Sequence, residues 1–265
     1  MIPNILSIAG SDPSGGAGIQ ADIKAISANG GYAMAAITAL TVQNTCGVRY
    51  ARLMAPDLVA AQVTAVFDDI RVDAVKIGML GDAAIVRAVA EVLADRDVPV
   101  VLDPVMVAKG GDRLLAAEAV AALRDRMVPQ ATIITPNLPE AADLLDRPEA
   151  RDRAEMEAQA RALLHLGCGA VLLKGGHLGG ADSPDLFLSP DGAHWLEGPR
   201  LPTANTHGTG CTLSAALATQ LALCGQARPA IDATKAYIQG AIRGADGLCV
   251  GRGHGPTDHF FAFRG

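Results

Sequence analysis

The chain has 265 residues, half of them hydrophobic but only 3% aromatic, and carries a formal net charge of −6. That charge offers no basic surface to a phosphate backbone, and aromatics are too few to stack bases, so nucleic acid is excluded as an expected partner. No run reaches the ~20 apolar residues that span a bilayer, and the start "MIPNILSIAG" lacks the charged n-region of a signal peptide; a cytoplasmic protein with no membrane partner is expected.

The apolar mass is Ala, Val, Leu and Ile, the material of parallel strands and of helices packed on them. In chain order, strands are predicted at "ILSIAG" (5–10), "AMAAITALTVQN" (33–44), "DAVKIGML" (73–80), "PVVLDPVM" (99–106), "TIITPN" (132–137) and "GAVLLKGG" (169–176). Amphipathic stretches lie between them. In "PDLVAAQVTAVFDDI" (56–70), Leu58, Val59, Val63, Val66 and Ile70 recur at helical spacing behind Pro56, which suits a first helical position. "DAAIVRAVAEVLADR" and "AEMEAQARALLHLG" repeat the pattern. Residues 182–201 break it: "DLFLSP" and "HWLEGP" flank a "DG" turn and predict a hairpin, after which two helices close the chain. Strands alternating with helices imply an α/β fold with a mostly parallel sheet covered on both faces. No linker, low-complexity segment or repeat divides residues 1–265, so one domain is expected.

In such sheets ligands collect beyond the carboxyl ends of the strands. The residues there are Gly10 with "SDPSGGAG", Gln43 and Asn44, Lys76 with Gly78, Asp103, Asn137, and Lys174 with "GG", and they are expected to line one crevice. Taken singly, each is also explained by a strand emerging into a loop. "SDPSGGAGIQAD" holds a lone GxGxxA, but a dinucleotide fold wants an acid about 20 residues later, and "YAMAAITALTVQN" has none. The loop instead offers backbone amides and Asp22 to a small ligand. Walker A is excluded because no lysine follows a glycine. Arginines outnumber lysines 17 to 5, so the lysine ending "AVLLKGG", Lys174, stands out as a point charge for phosphate. In "ITPNLPEAADLL", Asn137 and Glu140 read equally as a helix capping box or as oxygen donors to a hydrated Mg²⁺, with Asp103 as a further donor or merely a turn cap beside Pro104.

The five cysteines are odd in number and never spaced CxxC, and the histidines show no HExxH, so neither a disulfide framework nor a zinc site is supported. Cys211 differs from the others by its place in "NTHGTGCTLS", at the start of an apolar helix. Glycines let a ligand approach the backbone, and the free amides and dipole of a helix start bind an anion. The same field lowers a thiol pKa, so Cys211 is expected to be partly thiolate near neutrality, with buried packing as the plain alternative.

These segments, from "ILSIAGSDPSGGAGIQADIKAISANGGYAMAAITALTVQNTCGV" through "DAVKIGML", "VVLDPVM", "ITPNLPEAADLL" and "VLLKGGHL" to "NTHGTGCTLSAALA", resemble the hydroxymethylpyrimidine/phosphomethylpyrimidine kinases of the ribokinase superfamily. The likeness runs over nearly the whole chain; the GTG loop alone marks only the superfamily. It implies a ribokinase-like three-layer α/β/α fold that uses ATP and Mg²⁺ to phosphorylate the hydroxymethyl group of a pyrimidine and then the monophosphate. By the same likeness Cys211 stands where most of the superfamily has an aspartate base, and Gly208, Thr209 and Gly210 would hold the transferring phosphoryl group. Asp22 and Gln43 would meet the pyrimidine, with Gly10, Val42, Met79 and Val105 around its ring. Lys174 would meet the phosphates, Lys235 and Thr209 the nucleotide, and Asp103, Asn137 and Glu140 the Mg²⁺. A homodimer is expected. Relatives with the same cysteine phosphorylate pyridoxal, which makes pyridoxal kinase the nearest rival. A cysteine-nucleophile hydrolase would need a partner set beyond His207, and a non-catalytic nucleotide or vitamin sensor would use the same crevice without turnover.

Overall fold

In the computed structural model, which describes residues 1–106 and 117–264, the apolar runs become strands and the amphipathic stretches helices. The order is β1 Asn4–Ser11, α1 Gly18–Ala28, β2 Tyr32–Asn44, β3 Gly47–Leu53, α2 Pro56–Asp69, β4 Ala74–Ile77, α3 Ala83–Leu93, β5 Val100–Leu102, α4 Ala117–Ala122 and β6 Ile133–Ile134. It continues with α5 Leu138–Leu145, α6 Arg153–Leu164, β7 Val171–Lys174, β8 Asp185–Ser189, β9 Gly192–Leu196, α7 Thr209–Cys224 and α8 Ala227–Gly244.

The strands form one sheet in the order β3-β2-β1-β4-β5-β6-β7-β8-β9. From β2 through β7 every pair is parallel, while β3 and the β8–β9 hairpin add antiparallel edges. Alternate residues of the central strands enter two cores, as a twofold side-chain period requires. Leu6, Ile8, Val75, Ile77, Val100, Leu102, Val171 and Leu173 pack with Val59, Val63, Val86, Val89, Leu144 and Leu163 of α2, α3, α5 and α6. Ile5, Ala74, Val101 and Leu172 face the other way, onto Ile26, Leu213, Leu217, Leu221 and Ile238 of α1, α7 and α8. The expected three-layer α/β/α arrangement follows. Each fully buried Val, Leu or Ile contributes about 1.5–3 kcal/mol, so these two cores, rather than strand propensity, hold a strand as short as β6.

The predicted hairpin is present, with Pro190 and Asp191 at its turn. Among the elements not predicted are α4, β3 and the segment beyond α8. Strand β3, "GVRYARL", is mostly exposed and shows no apolar alternation. Beyond α8 the chain folds back, with Asp258 N–H donating to Ala241 O at 2.9 Å and His207 N–H to Gly255 O at 3.0 Å.

Candidate active site

The chain places β2 on one side of β1 and β4 on the other. Where strand order reverses in this way, the carboxyl ends splay and leave a crevice. A cavity of about 910 Å³ opens there, lined by Gly10, Gln43, Met79, Asp103, Val105, Asn137, Glu140, Lys174, Gly208, Thr209, Gly210, Cys211 and Lys235. Gly10 and Met79 approach closely: a β-carbon on Gly10 would lie 2.7 Å from Met79 Cε and would displace that side chain.

Three sequence expectations are corrected. Asp22 does not line the cavity; it lies on the inner face of α1, fully buried, and accepts from Lys76 Nζ at 2.9 and 2.8 Å and from Ser7 Oγ at 2.6 Å. Lys76 turns into the same buried pair instead of the crevice. Val42 lies on the outer side of β2, 54% exposed, because alternation turns its neighbours Thr41 and Gln43 inward.

The uncapped starts of α1 and α7 meet at the cavity, with Ala17, Gly18 and the 208–211 segment all lining it. Gly208 has φ 74°, and a β-carbon there would lie 1.7 Å from Gly16 O, so the two glycine loops touch backbone to backbone. A polar clasp locks the contact. His207 Nε2 lies 2.8 Å from Asp12 Oδ2 and 3.4 Å from Gln43 Nε2. Against the effect of burial, the hydrogen bonds from His207 and Ser14 hold the Asp12 carboxyl below its ordinary range. Thr209 turns inward: its N–H and hydroxyl both donate to Thr206 O, at 3.3 and 2.8 Å. The amides of Gly210 and Cys211 follow in the first turn of α7, where no intrahelical acceptor exists, the arrangement in which helix starts attract anions.

Cys211 is half-buried. Burial pushes its thiol up to about 11, only partly offset by Lys76, so the expectation of a partly ionised thiol near neutrality is corrected: desolvation outweighs the helix field. His207 is engaged by Asp12, and among the described residues no hydrogen-bonded base of the kind a cysteine nucleophile needs stands beside the thiol. All five cysteines are free.

Across the cavity Lys174 Nζ donates to Asp103 Oδ1 at 3.0 Å and lies 3.9 Å from Glu140 Oε2. Burial works against its charge, but Asp103 and Glu140 raise its pKa. Asn137 and Glu140 form the full capping box of α5, each accepting from the other's backbone N–H at 2.8 Å. Asn137 Oδ1 and Glu140 Oε2 are therefore both engaged in capping the helix. Asp103 and Glu140 are the carboxylates on this side of the cavity, hard oxygen donors of the kind a largely hydrated Mg²⁺ takes; no group of three or more His, Cys, Asp or Glu among the described residues is arranged to hold a metal. On the far side Lys235 Nζ donates to Asp185 Oδ2 at 2.6 Å, and Gly175 N–H donates to Asp185 Oδ1 at 3.0 Å.

Burial raises Glu140 to about 7, with Lys174 opposing and Asp103 reinforcing the shift. The folded protein thus keeps a proton that the unfolded chain, at 4.5, has released. The stability tied to that proton is full below pH 4.5 and is lost as pH rises through 7. The ligand-free Tm of wild type minus that of Glu140→Gln falls across this window; a difference constant with pH contradicts the assignment.

A sequence profile described as phosphomethylpyrimidine kinase matches residues 12–258. The chain belongs to the phosphomethylpyrimidine kinase family. It is 54% identical over 261 residues to a hydroxymethylpyrimidine/phosphomethylpyrimidine kinase of Salmonella typhimurium, covering 98% of each chain. Among solved structures it is similar to a Bacillus subtilis pyridoxal kinase in an ADP complex, with a TM-score of 0.92, 36% identity and 99% of each chain covered. A Clostridium difficile phosphomethylpyrimidine kinase superposes with a TM-score of 0.80 at 39% identity, over 91% of this chain and 99% of that one. The ribokinase-like fold of this family is the one described above. Asp12 and His207 were not singled out as a pair by sequence; an acid in "SDPSGG" and a histidine before "GTG" were the available signals.

Proposed function

We propose that this chain, as one ribokinase-like domain, transfers the γ-phosphoryl group of ATP to the hydroxymethyl group of 4-amino-5-hydroxymethyl-2-methylpyrimidine. It then phosphorylates the monophosphate to the diphosphate, in thiamine biosynthesis. The observation that carries this reading is the meeting of Cys211, the open amides of α7 and Lys174 in one cavity of a chain so similar to such kinases.

Phosphoryl transfer is chiefly positioning and charge neutralisation. Gln43, Met79, Val105 and Gly10 surround the pyrimidine and exclude water from it. The Gly210 and Cys211 amides receive the transferring group, and Lys174 neutralises its charge. Cys211 Sγ accepts the hydroxyl proton as that oxygen bonds to the γ-phosphorus and the bond from phosphorus to ADP breaks. Lys235 and Thr209 stand on the nucleotide side. Asp103 and Glu140 would hold Mg²⁺, which would supply charge neutralisation for the phosphates. Asp22 and Val42 have no direct part in this scheme.

The exposed side chains Leu40, Val42 and Tyr50 on one face of β2 and β3 support a homodimer. The reading also expects a cytoplasmic enzyme. Similarity to pyridoxal kinases favours one second reading, phosphorylation of pyridoxal. Incubating the purified protein with Mg-ATP and each alcohol, and comparing kcat/KM, separates the two. A pyrimidine monophosphate followed by diphosphate is expected; absence of phosphorylated pyrimidine removes the reading.

A further inference from the structure

Threonines on α7 and α8 bond in two ways. Thr219 and Thr234 turn their hydroxyls back to the carbonyls one turn earlier, Ala215 O at 3.0 Å and Ala230 O at 2.7 Å, as helical threonines do. Thr212, the residue after Cys211 in the first turn of α7, turns its hydroxyl instead to the segment beyond α8: Oγ1 lies 3.0 Å from His259 Nε2 and 3.3 Å from Thr257 Oγ1. All three side chains are buried. A satisfied buried network of this kind fixes one arrangement where apolar contact alone would allow several. The segment is in turn held by α8. Tyr237 Oη donates to His259 O at 2.9 Å, and the ring of Phe261 sits so close over Gly240 that a β-carbon there would lie 2.2 Å from its Cζ. It also reaches the cavity wall on two sides: His207 N–H donates to Gly255 O at 3.0 Å beside the glycine loop, and His254 N–H donates to Thr45 O at 2.9 Å beyond β2. His207, His254 and Thr45 line the cavity.

We propose that His259 is a positioning residue for phosphoryl transfer: through the Thr212 hydroxyl it pins the first turn of α7, and so keeps the Gly210 and Cys211 amides and the Cys211 thiol in place at the cavity. The proposal rests on the kinase reading of this site, in which those groups meet the transferring phosphoryl group and the hydroxyl proton. His259 is buried outside the cavity lining and acts only through Thr212. The first turn of a helix is otherwise weakly held, because its amides have no partner one turn back. Thr212 supplies the bond that starts α7, its N–H donating to Gly208 O at 2.8 Å. Main chain and side chain of this one residue thus set the turn: the N–H ties it to the left-handed Gly208, and the hydroxyl ties it to the segment anchored on α8. Displacing reacting groups by about 1 Å costs on the order of 10²-fold in rate, so a partial release is expected to cost about tenfold.

The test compares Thr212→Val, which keeps the shape and loses the hydroxyl, with Thr212→Ser, which keeps the hydroxyl, and with His259→Leu. Each full chain is assayed with Mg-ATP and the alcohol that wild type phosphorylates, well below its own Tm. In Thr212→Val and His259→Leu, kcat is expected to fall about tenfold or more with KM for the alcohol near wild type, while Thr212→Ser stays within about threefold of wild type. The Thr212→Val/His259→Leu double variant is expected to lose no more than the worse single variant, because both changes break one contact. A second readout needs no turnover. Iodoacetamide alkylation of the Cys211 peptide, followed by mass spectrometry in the ligand-free chain, is expected to be several-fold faster in Thr212→Val and His259→Leu, where the turn is released. A lowered Tm with kcat kept, a loss in Thr212→Ser equal to that in Thr212→Val, additive losses in the double variant, or unchanged alkylation overturns the proposal. Should His259→Leu fail to fold, the two Thr212 variants decide. Absence of wild-type turnover removes the kinase reading and leaves alkylation to decide this one, so the two fail separately.

Discussion

Replacing Cys211 by alanine lowers kcat by about 10²–10⁴-fold while leaving the affinity for both substrates near wild type. The reason is local. The thiol is the titratable group on the first turn of α7, beside the amides of Gly210 and Cys211, and removing it takes away neither those amides nor Lys174. The loss therefore falls on the step in which the hydroxyl proton moves, not on assembly of the complex. Equilibrium binding of pyrimidine and of ATP, set beside single-turnover rates, checks this. An unchanged kcat would reduce the thiol to packing.

Gly208→Ala has the second large effect. The residue has φ 74°, and a β-carbon would meet Gly16 O at 1.7 Å and Gly16 C at 2.7 Å, which backbone cannot yield without separating the two loops. A left-handed non-glycine residue alone costs about 1–2 kcal/mol, and the clash adds to it. Moving the loop also carries the first turn of α7 away from Lys174, and a misplacement of about 1 Å costs on the order of 10²-fold in rate. Expected are a lower Tm and a kcat/KM reduced by about two orders of magnitude, with Asp12 and His207 no longer clasped. Wild-type kinetics in this variant would show that the loops are not required in contact.

Much of the site was legible because its parts are punctuation. Glycines at 208 and 210 sit beside a helix start, Lys174 ends an apolar strand in a chain poor in lysine, and the Asn137–Glu140 spacing is that of a capping box. The strands and helices followed from periodicity for the same reason that they fold: alternate residues reach opposite cores. What was misread turned on the third dimension. Asp22 follows a glycine loop in sequence, yet lies one turn inside a helix on the face toward β4, where it meets Lys76. A lysine inside the apolar strand "DAVKIGML" was itself the signal that a buried acid must exist, since an unpaired ammonium there would be too costly. Val42 could be excluded by parity with Gln43. The thiol of Cys211 was misjudged because a helix field is visible in sequence and desolvation is not. Strand β3 escaped notice because both of its faces are largely exposed.

Whether this cavity phosphorylates a hydroxymethylpyrimidine is read most directly from kcat/KM with Mg-ATP for that alcohol and for pyridoxal under identical conditions. Expected is a pyrimidine monophosphate converted onward to the diphosphate, with kcat/KM for the pyrimidine the higher of the two. No phosphorylated pyrimidine, or a kcat/KM that favours pyridoxal, would contradict it.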